Sequence, residues 1–545
     1  MQFIRSRFAS TGASGMGWPV KVPPRVMAGI LGFGLTFGYL VLTAHIGFYL
    51  QDGGYLWYGV QRVLSGDIPL RDFDSYDPGR YYWCAAVMAI MHNYGMIALR
   101  IAIALFAAIG IGIANYLVFR KRERIRVWFF LAMNMTFIVW LFPTHKLFDI
   151  TASIISLALL AFLLERPTRW RCFIGGLGVG VIAIIGRNHG LYAALADILA
   201  LGIVARVEKK AALLPMLLSW AVGVFVGYAP MLLAILFVPG FWTWFWATIR
   251  VYFEAGETNI PSALPWPWTV DFGQPLTHVV RVILIGISLL ALPAYGFIGT
   301  TYLAVRAVIQ KVSAPPLLLA SCVLSIFYTH HTYVHMLLPQ AIYPMLIGIF
   351  AWLAELPVTT ATVAAVSVSV LSLFIWWQKQ VPYPMWHEGN WVRIKIGGDV
   401  IEDNPYIARR VDVFEALVDK YAPNGRPFMA TPDLPGMYAV FDRKAPVWET
   451  YALFPADKSV QQSEIARLRA ANPGFVIVVK GAIDNNPHLA FDRTNPMVYR
   501  YIRENYRHVE DAVLPSIWEW ELYIPPSKAS DRQRSTSAAV TAKSP

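Results

Sequence analysis

Residues 51 to 82 read QDGGYLWYGVQRVLSGDIPLRDFDSYDPGRYY. The segment sets Asp52, Asp67, Asp72, Asp74 and Asp77 among Tyr55, Trp57, Tyr58, Tyr76, Tyr81 and Tyr82. Carboxylates accept hydrogen bonds from hydroxyl groups, and aromatic rings stack on the apolar faces of a sugar, so the mixture suits a polyhydroxylated ligand. A carboxylate in such a site can also take the proton of an attacking hydroxyl. A lone aspartate here would be a solvated surface group; Asp52 is not alone.

A second set of residues carries the opposite charge. PTHKLFDI (143–150) offers His145 and Lys146 just before Asp149, which opens an apolar run where an ionisable group is costly and a functional candidate by default. The two cations could equally serve to neutralise it. GRNHG (186–190) adds Arg187 and His189, and YTHHTYVH (328–335) adds His330, His331 and His335. The three histidines lack a nearby Cys or carboxylate and fit no zinc spacing, so hydrogen bonding or phosphate contact is expected of them. One arginine at a membrane edge is ordinary snorkelling, whereas a set converging from several loops points to an anionic head group. Together these residues suit a lipid-linked phosphosugar: its phosphate rests against Lys146, Arg187 or His189 while an acid deprotonates the incoming hydroxyl, and the cations stabilise the departing phosphate. No nucleotide or water-soluble donor is needed.

The elements that must hold these groups are membrane helices. Of 545 residues 56% are apolar and only 15% charged, too apolar a composition for a soluble chain of this size. A span needs ~20 apolar residues, and about eleven runs qualify, at 26–50, 95–118, 127–143, 148–164, 172–187, 190–205, 211–237, 279–304, 314–329, 336–354 and 357–377. Basic residues gather on alternate connections. Arg5, Arg7, Lys21, Arg25, Arg120, Lys121, Arg122, Arg124, Arg126, Arg166, Arg169, Arg171, Arg206, Lys209, Lys210, Arg306 and Lys311 fall on one side, against Arg62, Arg71, Arg80, Lys146, Arg187 and Arg250 on the other. Cytoplasmic loops retain Lys and Arg, so the N-terminus is expected inside and the segment after an odd number of spans outside. The net charge of +12 is largely this bias and does not argue for nucleic acid binding. The first run is read as a retained helix rather than a cleaved signal, and Cys84, Cys172 and Cys322 as packing thiols.

After Trp377 the periodicities become those of a soluble α/β unit. Helices are expected at 411–422, 463–471 and 495–506, and strands at 426–431, 474–480 and 518–524. This gives a cytoplasmic segment 1–25, a membrane core 26–377, an outer α/β domain 378–525 and a disordered tail 526–545. The outer domain lacks a glycine-rich phosphate cradle, so it is expected to cover the site and help hold the acceptor rather than carry an active centre.

The stretch QDGGYLWYGVQRVLSGDIPLRDF after the first helix resembles the first-loop signature of the GT-C superfamily of integral membrane glycosyltransferases, which includes the protein O-mannosyltransferase-like and aminoarabinose-transferase-like enzymes. HKLFDITASIISLALLAFLLE (145–165) is similar to the later family segment in which a basic residue precedes an aspartate opening a Leu/Ala-rich helix. The resemblance implies a polytopic α-helical core with an extracytoplasmic C-terminal domain. It makes Asp52 the catalytic base and Asp149 a second acid that orients the acceptor or a metal. The frequent Asp-Glu pair of the family is here Asp52-Gly53, which leaves Asp72, Asp74 or Asp77 to supply the second carboxylate. The expected activity is hexosyl or pentosyl transfer from a polyprenyl-phosphate sugar to a cell-envelope glycan or glycolipid at the outer face of a bacterial inner membrane. Membrane lipid surrounds the site, no nucleic acid takes part, and a divalent cation is left open. The competing readings are a transporter or flippase of a lipid-linked or anionic substrate, which would place its ionisable groups at the midplane, and a non-catalytic assembly protein.

Overall fold

The computed structural model describes residues 22–208, 213–255, 264–310, 314–335, 338–379, 390–481, 483 and 486–526. Arg5, Arg7, Lys21, Lys209, Lys210, Lys311 and the tail from residue 527 lie outside the described residues.

The helices of the first half are α1 (Pro24–Leu42), α2 (Asp52–Leu64), α3 (Pro78–Met91), α4 (Met96–Val118), α5 (Val127–Val139), α6 (Leu147–Glu165), α7 (Arg169–Ile185) and α8 (Arg187–Glu208). There follow α9 (Leu213–Gly227), α10 (Ala229–Phe237), α11 (Phe241–Ala255), α12 (Leu276–Gln310), α13 (Pro316–His335), α14 (Leu338–Ala341), α15 (Tyr343–Leu353) and α16 (Val358–Trp376). Each of the eleven apolar runs therefore contains a helix. Among the described residues seven helices are long and apolar enough to cross a membrane, and the α9–α10 pair, bent by 55°, adds an eighth. The bend falls at Tyr228–Pro230, where proline cannot continue the ladder. Helices α5 and α15, at 13 and 11 residues, are too short to cross alone. Of the about eleven crossings expected, seven or eight thus have the length and apolarity of a full span among the described residues.

Where membrane helices touch, small side chains set the distance. A Cβ on Gly223 would lie 2.1 Å from the Phe173 carbonyl oxygen and one on Gly176 2.0 Å from that of Trp220. Only glycine therefore lets α7 and α9 pack backbone to backbone. Between α4 and α5 the amides of Asn115 and Asn134 bond reciprocally at 2.9 Å in full burial, which satisfies both polar groups in an apolar setting.

The first apolar run does not continue to residue 50. Helix α1 stops at Leu42 and the chain turns through Gly47, whose φ of 70° suits glycine, so Asp52 opens α2 instead of closing α1. YTHHTYVH, read as a loop, forms the last two turns of α13, and GRNHG is a break of one residue, Gly186, between α7 and α8.

Beyond the membrane helices, β1 (Val392–Ile396) and β2 (Asp399–Asp403) form an antiparallel hairpin. A four-stranded sheet follows in the order β3-β4-β6-β5, with β3 (Met429–Thr431) parallel to β4 (Val476–Val479) and β6 (Trp520–Ile524) antiparallel to both β4 and β5 (Arg507–Val509). The parallel pair requires a long crossover, which contains the helices Pro435–Val440 and Lys458–Ala471. The expected helices and strands at 411–422, 463–471, 495–506, 426–431, 474–480 and 518–524 are all present with shifted ends; the hairpin and β5, short and polar, were not anticipated.

This unit is fastened to the first loop. Gly47 N–H donates to the Glu402 carbonyl at 2.7 Å and Glu402 N–H to that of His45 at 2.8 Å. Gly54 on α2 meets Gly436 so closely that a Cβ on Gly54 would lie 2.2 Å from the Gly436 Cα. Trp448 donates from its ring to the Leu70 carbonyl at 3.0 Å, and its own carbonyl accepts from Asp74 N–H at 2.8 Å.

Candidate active site: two cavities that share Asp52

Asp52 is the first residue of α2, so its carboxylate sits at a helix N-terminus, which favours negative charge. Its Oδ1 accepts from the Tyr76 hydroxyl at 3.1 Å, and its Oδ2 lies 3.5 Å from His145 Nε2. Burial pushes the Asp52 carboxyl up, but His145, Lys146 and the Tyr76 hydroxyl together outweigh it and hold it below the usual carboxylate range.

Two cavities open on this residue. The first, about 590 Å³, runs along the C-terminal end of α1 at Tyr39, Leu40 and Thr43. It is closed by Arg100, His145, Lys379, Trp391, Asp403, Asn404 and Ile407. The second, about 580 Å³, is lined by Tyr55, Asp74, Tyr76, Asp77, Arg80, Lys146, Asp149, Arg187, Tyr192, His330 and His331, and by Trp448, Glu449, Tyr451, Leu453 and Phe454 of the C-terminal unit. Leu191, Ile249 and Val251 add apolar surface to its lining, and Leu191 is 57% exposed. Asp52 lines both.

The cations of the second cavity are not equivalent. Arg80 bonds Asp149 Oδ1 at 2.7 Å, and His189 Nε2 meets the same oxygen at 2.9 Å. Arg187 Nε lies 2.6 Å from Asp77 Oδ1, and Asp77 Oδ2 accepts from the Arg187 backbone N–H at 2.8 Å. Lys146 instead places its ammonium 4.7 Å above the Tyr76 ring centre and 3.4 Å from its hydroxyl, with no carboxylate ion pair among the described residues. An ammonium in this state can make a charge-assisted hydrogen bond to an anionic group.

The structure brings Asp52, Tyr55, Asp74, Asp77, Lys146, Asp149, Arg187, His330 and His331 to one cavity wall, and His145 to the other cavity beside Asp52. It does not bring Asp72, whose carboxylate is taken by Arg71 at 2.8 Å and by the Ile68 N–H at 2.7 Å. Tyr81 is fully buried behind the site, its hydroxyl accepting from the Tyr76 N–H at 3.0 Å. His189 is likewise fully buried, held between Asp149 and the Tyr328 hydroxyl at 2.8 Å, so it cannot touch a phosphate. The side chain of His335 lies outside the described part of the structure. Asp149 is paired, as one sequence reading allowed, but with Arg80 across an ion pair and with His189 across a hydrogen bond rather than with its neighbours His145 and Lys146. His330 and His331 are engaged with the Tyr192 hydroxyl at 2.9 Å and Gln340 at 2.8 Å. Among the described residues no group of three or more His, Cys, Asp or Glu is placed to hold a metal ion, so the divalent cation left open by the sequence finds no ligand set there.

Sequence reasoning missed Arg80, counted only as loop charge, and the wall from the C-terminal unit. Asp77-Pro78 followed by an arginine at the start of a helix was the available signal for the first; nothing local marked the second. Acids from the first loop and from that unit also meet here. Burial pushes the Asp74 carboxyl up to about 6, though the Tyr55 hydroxyl 2.9 Å away opposes it. Burial and then Asp74 and Glu464 push Glu449 well above the usual range.

No family model and no curated protein sequence matches the chain. Solved structures similar to it include the apo oligosaccharyltransferase of Archaeoglobus fulgidus, at 13% identity and a TM-score of 0.47 over 89% of this chain and 73% of that one. Another is ArnT of Cupriavidus metallidurans bound to undecaprenyl phosphate, at 13% identity and a TM-score of 0.42 over 92% and 98%. Both are membrane glycosyltransferases of the GT-C superfamily.

Proposed function

We propose that the chain transfers a sugar from a polyprenyl-phosphate donor to a cell-envelope glycan or glycolipid acceptor at the outer face of a bacterial inner membrane, with residues 26–377 as the core and 378–525 on the periplasmic side. The observation that carries this reading is that Asp52 lines two cavities, one of which presents the Lys146 ammonium, without a carboxylate partner among the described residues. The donor occupies the second cavity, its phosphate on Lys146 and its chain leaving over the apolar surface at Leu191, Ile249 and Val251. The acceptor hydroxyl enters from the first cavity. As its oxygen bonds to the anomeric carbon, its proton passes to Asp52 Oδ2, the carbon–oxygen bond to phosphate breaks, and polyprenyl phosphate leaves with its charge met by Lys146. Arg80 and Arg187, fixed by Asp149 and Asp77, offer their remaining N–H groups to the cavity without moving. Hexoses and pentoses both fit a cavity of this volume, and Tyr55 and Tyr451, with ring centres 5.5 Å apart, offer it stacking faces.

The test is Asp52→Asn, which keeps shape but removes basicity. Release of polyprenyl phosphate by full-length protein in membranes that contain native lipid-linked sugars should fall by about 10²–10⁴-fold with expression unchanged. Release at the wild-type rate would remove Asp52 from the mechanism.

A further inference from the structure

Tyr76 is built into the site more tightly than a stacking residue requires. Its backbone N–H is bonded to the Tyr81 hydroxyl at 3.0 Å, and the edge of Tyr55 meets its ring at a centre distance of 5.0 Å. The Arg80 guanidinium carbon lies 5.0 Å from the ring centre, with Lys146 at 4.7 Å. Ring and backbone are thus clamped, and among the described residues the hydroxyl lies between two groups: it donates to Asp52 Oδ1 at 3.1 Å and accepts from Lys146 Nζ at 3.4 Å. We propose that Tyr76 is a positioning residue that pins Asp52 for proton transfer and ties its basicity to whether Lys146 holds a phosphate. This rests on the reading of Asp52 as the base.

The physical argument follows the charges. With the donor absent, the Lys146 ammonium and the Tyr76 hydroxyl both favour the ionised form of Asp52, which keeps it charged but weakly basic. A phosphate on Lys146 cancels most of that positive field and draws the ammonium hydrogen away from the Tyr76 oxygen. Asp52 then becomes a stronger base whenever a phosphate, as in the bound donor, rests on Lys146. The bond from Tyr76 to Oδ1 meanwhile leaves Oδ2 turned toward the first cavity. The remaining charged groups do not replace this link. His145 faces Oδ2 from the turn before α6, Arg80 of α3 is spent on Asp149, and Asp403 and Lys379 line the first cavity from the C-terminal side. Asp74 is bonded to Tyr55 at 2.9 Å.

The test reads the carboxyl itself, so it needs neither the sugar nor the acceptor. The Asp52 band is isolated by infrared difference spectroscopy of the full chain in nanodiscs against Asp52→Asn and titrated with and without polyprenyl phosphate. In the wild type the midpoint should move to higher pH when polyprenyl phosphate is added. In Tyr76→Phe the midpoint should already lie higher in the free protein, the response to polyprenyl phosphate should shrink, and release of polyprenyl phosphate should fall about tenfold, the loss expected for one hydrogen bond to a charged group. A Tyr76→Phe titration that overlays the wild type, even with slower release, would assign Tyr76 a purely structural part and overturn the proposal. A wild-type midpoint indifferent to polyprenyl phosphate would overturn the coupling. Should Asp52→Asn release at the full rate, the base assignment itself fails, whatever the titrations give.

Discussion

Lys146 and Arg187 carry the same charge into one cavity, but only one of them is balanced. Arg187 is held against Asp77 at 2.6 Å, and Asp77 is 8% exposed. Removing the arginine strands a buried carboxylate, which destabilises as well as discharging the site. Lys146 rests on a ring and a hydroxyl, so its loss leaves no orphan. Lys146→Ala should therefore weaken binding of polyprenyl phosphate by about 10- to 100-fold, the equivalent of about 1.5–3 kcal/mol for a charge-assisted contact, with the melting temperature unchanged. Arg187→Ala should lower both affinity and melting temperature, and adding Asp77→Ala should restore the melting temperature alone. Calorimetric titration with polyprenyl phosphate beside thermal unfolding separates the two. Equal melting temperatures for both single variants would show that the Arg187–Asp77 pair is not structural.

At the scale of elements, the site depends on α2 lying flat against the C-terminal unit. The contact between Gly54 and Gly436 leaves no room for a side chain, and Gln61 on the same helix donates to the Ala439 carbonyl at 3.2 Å. Gly54→Val should force α2 away from the helix Pro435–Val440 at a cost of about 1–3 kcal/mol, the range for overpacking, and move Asp52 relative to the wall formed by Trp448, Glu449 and Tyr451. Membrane insertion, which is decided by the apolar helices, should persist while release of polyprenyl phosphate falls. Protease protection of the C-terminal unit reports the docking directly: protection equal to wild type in Gly54→Val would show that the close approach does not hold the unit. Helix α11 belongs to the same joint, since Trp244 packs at a tilt on Trp448 with ring centres 4.6 Å apart and Arg187 Nη1 reaches Thr248 at 3.1 Å.

Across the whole molecule, the seam between the first loop and the C-terminal unit encloses three carboxyls, Asp74, Glu449 and Glu464. Burial pushes Glu464 up to about 7, against the bond its Oε2 accepts from the Trp448 N–H at 2.8 Å. Asp74 is raised to about 6. Because both folded values lie above those of the unfolded chain, the folded seam holds protons that the unfolded chain has released. Its relative stabilisation is full below the ordinary carboxylate range and is lost as pH rises through about 6 and then about 7. Thermal unfolding of the full chain in detergent should shift to lower temperature between about pH 5 and pH 8. Glu464→Gln, which keeps the acceptor for Trp448, should flatten that dependence. An unaltered slope in Glu464→Gln would take Glu464 out of the titration.

The membrane character, the positions of the helices and the alternation of helix and strand after Trp377 were determined by the sequence itself. They follow from hydropathy runs and local periods, each contained within about 20 residues. Asp52, Lys146 and Asp77 could be singled out for the same reason, since an ionisable group beside an apolar run is conspicuous locally. Their partners could not. Asp52 meets Tyr76 and His145, Asp149 meets Arg80 and His189, and Tyr55 meets Tyr451 only because distant elements converge. The same convergence withdrew His189, Tyr81 and Asp72 from the cavities by burying or pairing them. It also added Trp448 and Glu449, whose stretch of chain carries no local sign of a site. Which charge lacks a carboxylate partner among the described residues, and which residue lines both cavities, is a property of packing between segments tens to hundreds of positions apart. Tertiary structure alone decided it, because pairing energies depend on distance and enclosure, and neither is written in the order of the residues.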